Sequence, residues 1–220
     1  LLQQKGSPVG LICTDGFRDS LEIRLGWRDK RYDFTWEMPS PLVPRRLRLP
    51  VRERVNKEGN ITIPLEEDDV YRAIETFRAN DITNVGVCFL WSFLNPIHEK
   101  RVQDILRQEM PDAHITISSQ VCPEIREYDR VSTVAINAFI LESLSSHLSS
   151  FETFFRNAGY KGEIRYLQSS GGIVGGDAIR SNAVSALHSG PAAGPSSGRF
   201  FGSSLGFSDV ITIDMGGTSF

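Results

Sequence analysis

The strongest constraint on this chain is an apolar run that leads into a glycine turn, with the sequence VITIDMGGTSF over residues 210–220. The β-branched residues at 210–213 are typical of a strand that is buried on both faces of a sheet. Gly216 and Gly217 come soon after the acidic Asp214, and glycine adopts backbone angles that other residues avoid. The pattern therefore predicts a buried strand that ends in a tight loop.

The predicted loop has the chemistry of a phosphate-binding site. Without side chains at Gly216 and Gly217, peptide N–H groups can approach an anion closely and surround it. Thr218 and Ser219 add hydroxyl donors, and Asp214 can hold Mg²⁺ through water. The loop is not a Walker A motif, because no lysine follows the glycines. The same residues are also compatible with an ordinary strand followed by a Gly-Gly turn.

The segment before this strand is rich in small residues, with glycines at 190, 194, 198 and 202. In a helix this spacing places them along one stripe. Each glycine costs about 1 kcal/mol in helix propensity, so the stripe predicts tight helix–helix contact there, as at an interdomain hinge. A flexible Gly/Ser linker is the alternative. Pro195 predicts that the helix begins late or is kinked.

Composition places the chain among soluble globular proteins of one or two domains, with 220 residues, 40% hydrophobic and 23% charged. The net charge of −3 gives no electrostatic reason to expect nucleic acid. No apolar stretch approaches the ~20 residues that span a bilayer, so no membrane is expected. The three cysteines are scattered and fit a reducing compartment, which predicts a cytoplasmic protein.

Strand and helix patterns alternate in the first half of the chain. Strands are predicted at 9–14, 85–90 and 115–118, with helices at 66–80 and 98–109. This order predicts an α/β fold with parallel strands. From about residue 129 the pattern changes to a long or broken helix at 131–156, a strand at 164–167, a glycine-rich loop at 169–176 and a short helix at 177–182. A domain boundary is therefore predicted near residue 128.

Several polar clusters favour structural roles. Asn95 and Pro96 are typical of a helix start, which makes a metal role for His98 the less favoured interpretation. The charge run at 124–130 indicates a solvated, salt-bridged helix start or domain junction, and the arginines at 45–48 indicate a solvent or subunit surface. The loop at 169–172 either contacts a nucleotide or substrate or forms a tight turn.

Nine short blocks, in their order and spacing, resemble the hydantoinase A/5-oxoprolinase family, which includes the ATP-binding subunits of acetone and acetophenone carboxylases. The blocks are TDGFRD at 14–19, PLVPRR at 41–46, ERV at 53–55, NPIHE at 95–99, PEIREY at 123–128, NA at 137–138, QSSGG at 168–172, SGPAAG at 189–194 and DMGGTS at 214–219. They cover nearly the whole chain.

The resemblance implies the RNase H-like fold of the actin, Hsp70 and sugar-kinase superfold. In this interpretation Asp214, Gly216, Gly217, Thr218 and Ser219 form the second of two phosphate loops and bind ATP, and Asp214 is also the catalytic residue, which holds Mg²⁺ or organises the attacking group. The small-residue segment is the connecting helix. The first loop is expected before Leu1, so the chain is expected to be an internal fragment. Residues 1–128 are then the N-terminal region without that loop, and residues 129–220 begin the ATP-binding domain.

The resemblance also implies a function. The expected activity is ATP-dependent hydrolysis or carboxylation, in which a cyclic amide (5-oxoproline or hydantoin) or a ketone is activated by phosphorylation of its carbonyl oxygen. A hydantoinase B-type subunit or domain and an oligomeric assembly are expected. The alternative is an Hsp70-like, nucleotide-switched binding module that converts no small molecule.

Overall fold

The computed structural model describes residues 5–26 and 32–215. Its chain divides between Ser143 and Leu144 into two compact units, which we call unit 1 and unit 2. The division falls within one long helix. Each unit is described by itself below.

Unit 1 alternates strands and helices as predicted. Its strands are β1 (Val9–Thr14), β2 (Arg48–Val51), β3 (Arg54–Val55), β4 (Ile61–Ile63), β5 (Asn84–Cys88) and β6 (His114–Ile117). Its helices are α1 (Ser20–Ile23), α2 (Glu67–Ala79), α3 (Ile97–Glu109), α4 (Ser118–Val121) and the first part of α5 (Glu127–Asn157), with a 3₁₀ turn at Arg45–Leu47.

The core of unit 1 is a four-stranded sheet in the order β2-β1-β5-β6, and all neighbouring pairs are parallel. Every residue of β1 and β5 is buried, as expected for a parallel sheet with both faces covered. In the register of these two strands, Cys13 lies opposite Cys88. The prediction of parallel pairing in an α/β fold is confirmed.

Two glycines in the central strands let helices pack close to the sheet. A Cβ atom at Gly10 would overlap the ring of Phe77 in α2. On the opposite face, a Cβ atom at Gly86 would lie 2.6 Å from Cγ1 of Val134 in α5. Phe77 and Val134 are fully buried. The sheet is therefore covered by α2 on one face and by α5 on the other.

The two amphipathic helices of unit 1 begin close to the predicted positions. The first turn of α2 carries Glu67, Asp68 and Asp69, which favour the positive end of the helix dipole. At the start of α3, the N–H of Ile97 donates to Asn95 Oδ1 at 3.2 Å. The predicted helix start is confirmed, although Pro96 lies at the N-cap and not in the first turn.

Unit 2 contains the rest of α5, a two-stranded antiparallel sheet of β7 (Arg165–Leu167) and β8 (Ile173–Gly175), α6 (Gly176–Ser181), a 3₁₀ turn at Ala183–Ala186 and α7 (Ser189–Ser204). The prediction of a loop throughout 169–176 is wrong at Ile173–Gly175. The β-branched pair Ile173-Val174 suits a strand, and Gly171, with φ of +80°, provides the turn that returns the chain to β7.

The small-residue segment forms one helix, α7, so the alternative of a flexible linker is wrong. The helix continues through Pro195, and the predicted late start is wrong too. The predicted strand at 210–213 is not present, because no strand of the described chain pairs with these residues, and Ile211 and Ile213 are 90% and 80% exposed. An extended segment without a neighbouring ladder of hydrogen bonds is not a stable strand.

None of the helices within the described residues combines the length and the apolar character that crossing a bilayer requires.

Candidate functional site

The predicted phosphate loop lies at the limit of the described residues. Asp214 is described and exposed, and it makes no hydrogen bond with any other described residue. Gly216, Gly217, Thr218 and Ser219 lie outside the described residues. Their phosphate-binding role and the Mg²⁺ role of Asp214 therefore stay predictions.

The chain that leads into this loop packs against the glycine stripe of α7. The side chain of Val210 fills the space beside Gly202, and the side chain of Thr212 fills the space beside Gly198. A Cβ atom at either glycine would overlap these side chains. The predicted close approach to the stripe is confirmed, but the predicted helix–helix contact is wrong, because the partner is the non-helical segment that precedes Asp214.

A cavity of about 340 Å³ lies between α7 and this segment. Its lining combines small, hydroxyl and apolar side chains with one arginine: Pro195, Gly198, Arg199, Ser203, Phe207, Ser208, Val210 and Thr212. The cavity places polar groups beside the approach to the predicted loop.

The loop between β7 and β8 is a fixed turn next to α7. The backbone N–H of Ser169 donates to the carbonyl oxygen of Ser185 at 2.7 Å, and its hydroxyl donates to the carbonyl oxygens of Ser185 and Leu187. A Cβ atom at Gly171 would lie 3.8 Å from the carbonyl oxygen of Ala192 in α7. These contacts support the tight-turn interpretation and use the hydroxyl of Ser169 within the protein.

A second cavity in unit 2, of about 900 Å³, contains paired charges. Arg180 lies 2.6 Å from Glu152, whose carboxylate also accepts the hydroxyl of Tyr166 at 2.8 Å. The hydrogen bond from Arg180 lowers the pKa of Glu152 most, and the hydrogen bond from the hydroxyl of Tyr166 lowers it further. Burial and then the hydrogen bond to Glu152 raise the pKa of Tyr166 to about 12. Glu152 and Arg180 thus neutralise each other within this cavity.

Unit 1 contains a buried polar network where β1 ends. The carboxylate of Glu53 accepts the hydroxyl of Thr14 on one oxygen and Nδ1 of His98, at 2.8 Å, on the other. The hydroxyl of Thr14 also accepts the N–H of Leu90 at 3.0 Å. Nδ1 of His98 is therefore used within the protein, and through Glu53 it joins α3 to the end of β1.

A second buried network joins α3 to α5. Glu99 accepts the N–H of Phe89 at 2.9 Å, the hydroxyl of Ser118 at 2.6 Å and the N–H of Ser119 at 2.8 Å. Ser118 is 2.9 Å from Ser92, which in turn accepts from Nη1 of Arg130 at 2.9 Å. Two hydroxyl groups thus connect a buried carboxylate with a buried guanidinium.

The predicted helix start within residues 124–130 is confirmed, because α5 begins at Glu127, but the burial of Arg130 corrects the interpretation of the whole run as solvated. Arg130 is 2% exposed and donates from Nη2 to the carbonyl oxygen of Phe89 at 2.6 Å. Its guanidinium also lies over the ring of Phe93, 5.2 Å from the centroid. The helical period contains a signal for this burial, since Arg130 is four residues before Val134 and eight before Ala138, which are both fully buried.

The predicted surface role of the arginines at 45–48 is correct only in part. Arg45 is exposed and pairs with Asp19 at 2.9 Å, and this arginine lowers the pKa of Asp19. Arg48 is 1% exposed and pairs with Glu22 at 2.6 Å. Arg48 is the first residue of β2, and its ion pair with Glu22 joins α1 to the sheet.

No group of three or more His, Cys, Asp or Glu side chains within the described ranges is arranged to hold a metal ion.

Comparison with known proteins covers the whole chain. Residues 1–110 match the hydantoinase/oxoprolinase N-terminal region, and residues 130–220 match the hydantoinase/oxoprolinase family. The alpha subunit of caprolactamase from Pseudomonas jessenii is 40% identical over 222 aligned residues, which cover 100% of this chain and 32% of that subunit. The chain therefore spans about a third of this relative's length.

Two solved structures have the same fold. The ATP-dependent caprolactamase from Pseudomonas jessenii matches with a TM-score of 0.90 and 39% identity, over 99% of this chain and 32% of that one. Nucleotide-free acetone carboxylase, from work on ATP-dependent acetone carboxylation, matches with a TM-score of 0.80 and 28% identity, over 93% of this chain and 30% of that one. Together with the two family matches, these structures show that the chain belongs to the hydantoinase/oxoprolinase family.

Proposed function

We propose that the protein carrying this chain uses ATP to phosphorylate the carbonyl oxygen of a cyclic amide or a ketone. The observation that carries the proposal is the seating of residues 210–212 on the glycine stripe of α7, directly before Asp214 and the glycine turn. The similarity to an ATP-dependent caprolactamase and to acetone carboxylase supports the same chemistry.

The chemical reason for ATP is the stability of these substrates. An amide resists hydrolysis because its carbonyl oxygen is a poor leaving group. A ketone resists carboxylation because its enolate is too unstable. Phosphorylation converts that oxygen into a good leaving group. Since phosphoryl transfer is catalysed mainly by positioning and by stabilisation of charge, a loop of N–H and hydroxyl donors is suited to it.

The proposal assigns a role to each residue of the predicted loop. Gly216 and Gly217 bind phosphate oxygens through their N–H groups, and Thr218 and Ser219 do so through their hydroxyls. Asp214 holds Mg²⁺ or organises the attacking group. Magnesium supplies positive charge next to the phosphates when it is bound. The RNase H-like superfold, with α7 as its connecting helix, is part of this proposal.

The proposal also includes partners and location. The similar caprolactamase chain is an alpha subunit, which supports assembly with a second subunit, and we propose the hydantoinase B type. Cytoplasmic location is proposed from the three free cysteines. Hydrolysis and carboxylation are both compatible with the proposed phosphorylated intermediate.

The test is an assay of ADP release by the full-length protein, produced together with its partner subunit. Magnesium ATP is supplied with 5-oxoproline, hydantoin or caprolactam, and with acetone or acetophenone plus bicarbonate. We expect one substrate to stimulate ADP release strongly and Gly217→Asp to abolish the stimulation. Gly190→Ala, at an open position of α7, is the control and should retain it.

Two outcomes would contradict the proposal. ATP binding without stimulation by any substrate would favour the nucleotide-switched binding module. The absence of ATP binding would remove the phosphate-loop interpretation itself.

A further inference from the structure

We infer that residues 210–215 form one strand of a sheet that is completed by the same polypeptide outside this chain. In this sheet α7 covers one face, and the outside part of the polypeptide supplies the neighbouring strand and covers the other face. The pairing does not depend on ATP and goes beyond the proposed function. It rests on the spacing of the contacts with α7, on exposed apolar side chains and on an unpaired backbone.

The contacts with α7 show that the segment runs extended along the helix. Val210 lies beside Gly202 and Thr212 lies beside Gly198, so two residues of the segment span the same distance as four residues of α7. Four helical residues rise by about 6 Å, and two residues of a strand advance by about 6.6 Å. Residues 210–212 therefore have the rise of a β-strand, and they run in the opposite direction to α7.

The side chains of the segment alternate between two faces. Val210 and Thr212 contact the glycine stripe, whereas Ile211, Ile213 and Met215 are 90%, 80% and 74% exposed. Since successive side chains of a strand point to opposite faces of a sheet, the three exposed side chains share the face that points away from α7. A group of large exposed apolar side chains indicates a surface that is covered by another part of the protein or by a partner.

α7 also has apolar side chains beside the segment. Phe201 and Leu205 follow Gly198 by three and seven residues, so they lie on the same side of the helix as the stripe. Both are largely exposed. A helix that covers a sheet packs its apolar side against it, and a second strand beside residues 210–214 would cover Phe201 and Leu205.

The backbone of the segment is available for pairing. Within the part of the chain that the structure describes, no hydrogen bond joins the peptide groups of residues 210–214 to another residue. An extended segment with free N–H and C=O groups is a template for a neighbouring strand. The segment thus has the rise, the alternation and the free backbone of a strand whose neighbour lies outside the described residues.

We assign the neighbouring strand to the same polypeptide. The related caprolactamase chain is about three times as long as the part of it that this chain matches. A protein of this kind therefore has polypeptide outside this chain that can pair with residues 210–214. Pairing within one polypeptide also avoids the loss of translational and rotational freedom that a second copy or another subunit would incur.

Hydrogen exchange tests the pairing in the full-length protein, assembled with its partner subunit and without nucleotide. Mass spectrometry follows the peptide that contains residues 208–215. We expect the amide hydrogens of residues 211–214 to exchange at least about 100-fold more slowly than in an unstructured chain. A peptide from β5 shows in the same sample that the protein is folded. Exchange of residues 211–214 at the unstructured rate would overturn the inference.

Photo-cross-linking of the same assembly identifies what covers the outer face. Ile213→p-benzoylphenylalanine places a photoreactive group among the exposed apolar side chains. Lys57→p-benzoylphenylalanine is the matched control, because Lys57 is a charged residue whose side chain is largely exposed. We expect the group at 213 to react with its own polypeptide at a residue outside this chain, so that the product keeps the mass of one polypeptide. The control should give no such link.

Three cross-linking results would also overturn the inference: no link from position 213, a link to the partner subunit or to a second copy, or equal linking from positions 57 and 213. Neither measurement uses nucleotide, so the outcome is separate from the test of the proposed function. Slow exchange and an internal link without stimulated ADP release keep the completed sheet and remove the proposed activity. Stimulated ADP release with fast exchange keeps the activity and removes the sheet.

Discussion

Nδ1 of His98 lies 2.8 Å from Oε2 of Glu53, and both side chains are almost completely excluded from solvent. The other carboxylate oxygen of Glu53 accepts the hydroxyl of Thr14. Glu53 follows β2, His98 belongs to α3 and Thr14 ends β1. A single carboxylate therefore connects three elements at the carboxyl edge of the sheet.

The first prediction concerns this carboxylate. Glu53→Ala leaves two buried polar groups without their acceptor, and we expect the free energy of unfolding to fall by about 3 kcal/mol. Urea denaturation measures the change. Glu58→Ala, which removes an exposed carboxylate 3.7 Å from Lys57, is the control and should change stability by less than about 1 kcal/mol. Equal effects of the two substitutions would show that the network does not stabilise the fold.

The second prediction concerns Arg130. Arg130→Met removes the guanidinium from Ser92 and from the carbonyl oxygen of Phe89, and leaves both polar groups buried. We expect a loss of about 3 kcal/mol in the free energy of unfolding. The matched variant Arg107→Met replaces a largely exposed arginine and should leave the free energy of unfolding almost unchanged. A nearly neutral Arg130→Met would mean that packing, and not hydrogen bonding, holds the start of α5.

The third prediction concerns the glycine stripe of α7 and rests on the proposed function. Gly198→Ala would place a methyl group where Cγ2 of Thr212 lies, so we expect residues 210–214 to shift and ATP to bind more weakly. Adding Thr212→Ser removes that methyl group and should restore affinity. Titration of the full-length variants with ATP measures both effects.

Gly190→Ala is the control for this prediction, because nothing lies within 4 Å of a Cβ atom there. It should retain ATP affinity. If Thr212→Ser fails to compensate Gly198→Ala, the contact between the two residues does not position the loop.

The fourth prediction concerns the buried thiols at alkaline pH. Burial raises the pKa of Cys13 from 9.0 to about 12 in the folded protein. Between these values the unfolded chain loses the proton and the folded protein retains it, so stability must fall as pH rises from about 9 to about 12. For one thiol the slope approaches about 1.4 kcal/mol per pH unit.

The measurement is the free energy of unfolding as a function of pH for the parent protein and for Cys13→Ala. We expect the difference between the two proteins to narrow above pH 9, because the parent loses the stability that comes from a protonated thiol. A constant difference would mean that Cys13 titrates alike in both states.

The fold of unit 1 was predictable because its signals are local. The apolar runs of β1 and β5, and the helical spacing of Val70, Ile74 and Phe77, each indicate one element without reference to the rest of the chain. Parallel pairing follows from their alternation. The strand at 210–213 was not predictable in the same way, because its formation depends on a neighbouring strand, which an apolar run cannot reveal.

The polar networks were less predictable than the fold. Glu53, Glu99 and Arg130 are charged residues within charged segments, and such segments are usually solvated. Their burial depends on contacts across 10 to 45 positions of the sequence, so only the helical phase of Arg130 gives a local signal. The predicted phosphate loop is the opposite case. Its residue types indicate a function, but the loop beyond Met215 lies outside the described residues.

The contact between Gly198 and Thr212 has a consequence for how such sequences diverge. A side chain at 198 is compatible only with a smaller one at 212, so substitutions at the two positions should be inherited together across related proteins. Because the contact joins α7 to the approach to Asp214, this pair is expected to change more slowly than the open position at Gly190. The close packing on one face of α7 thus limits how fast Thr212, on a different segment of the chain, can be substituted.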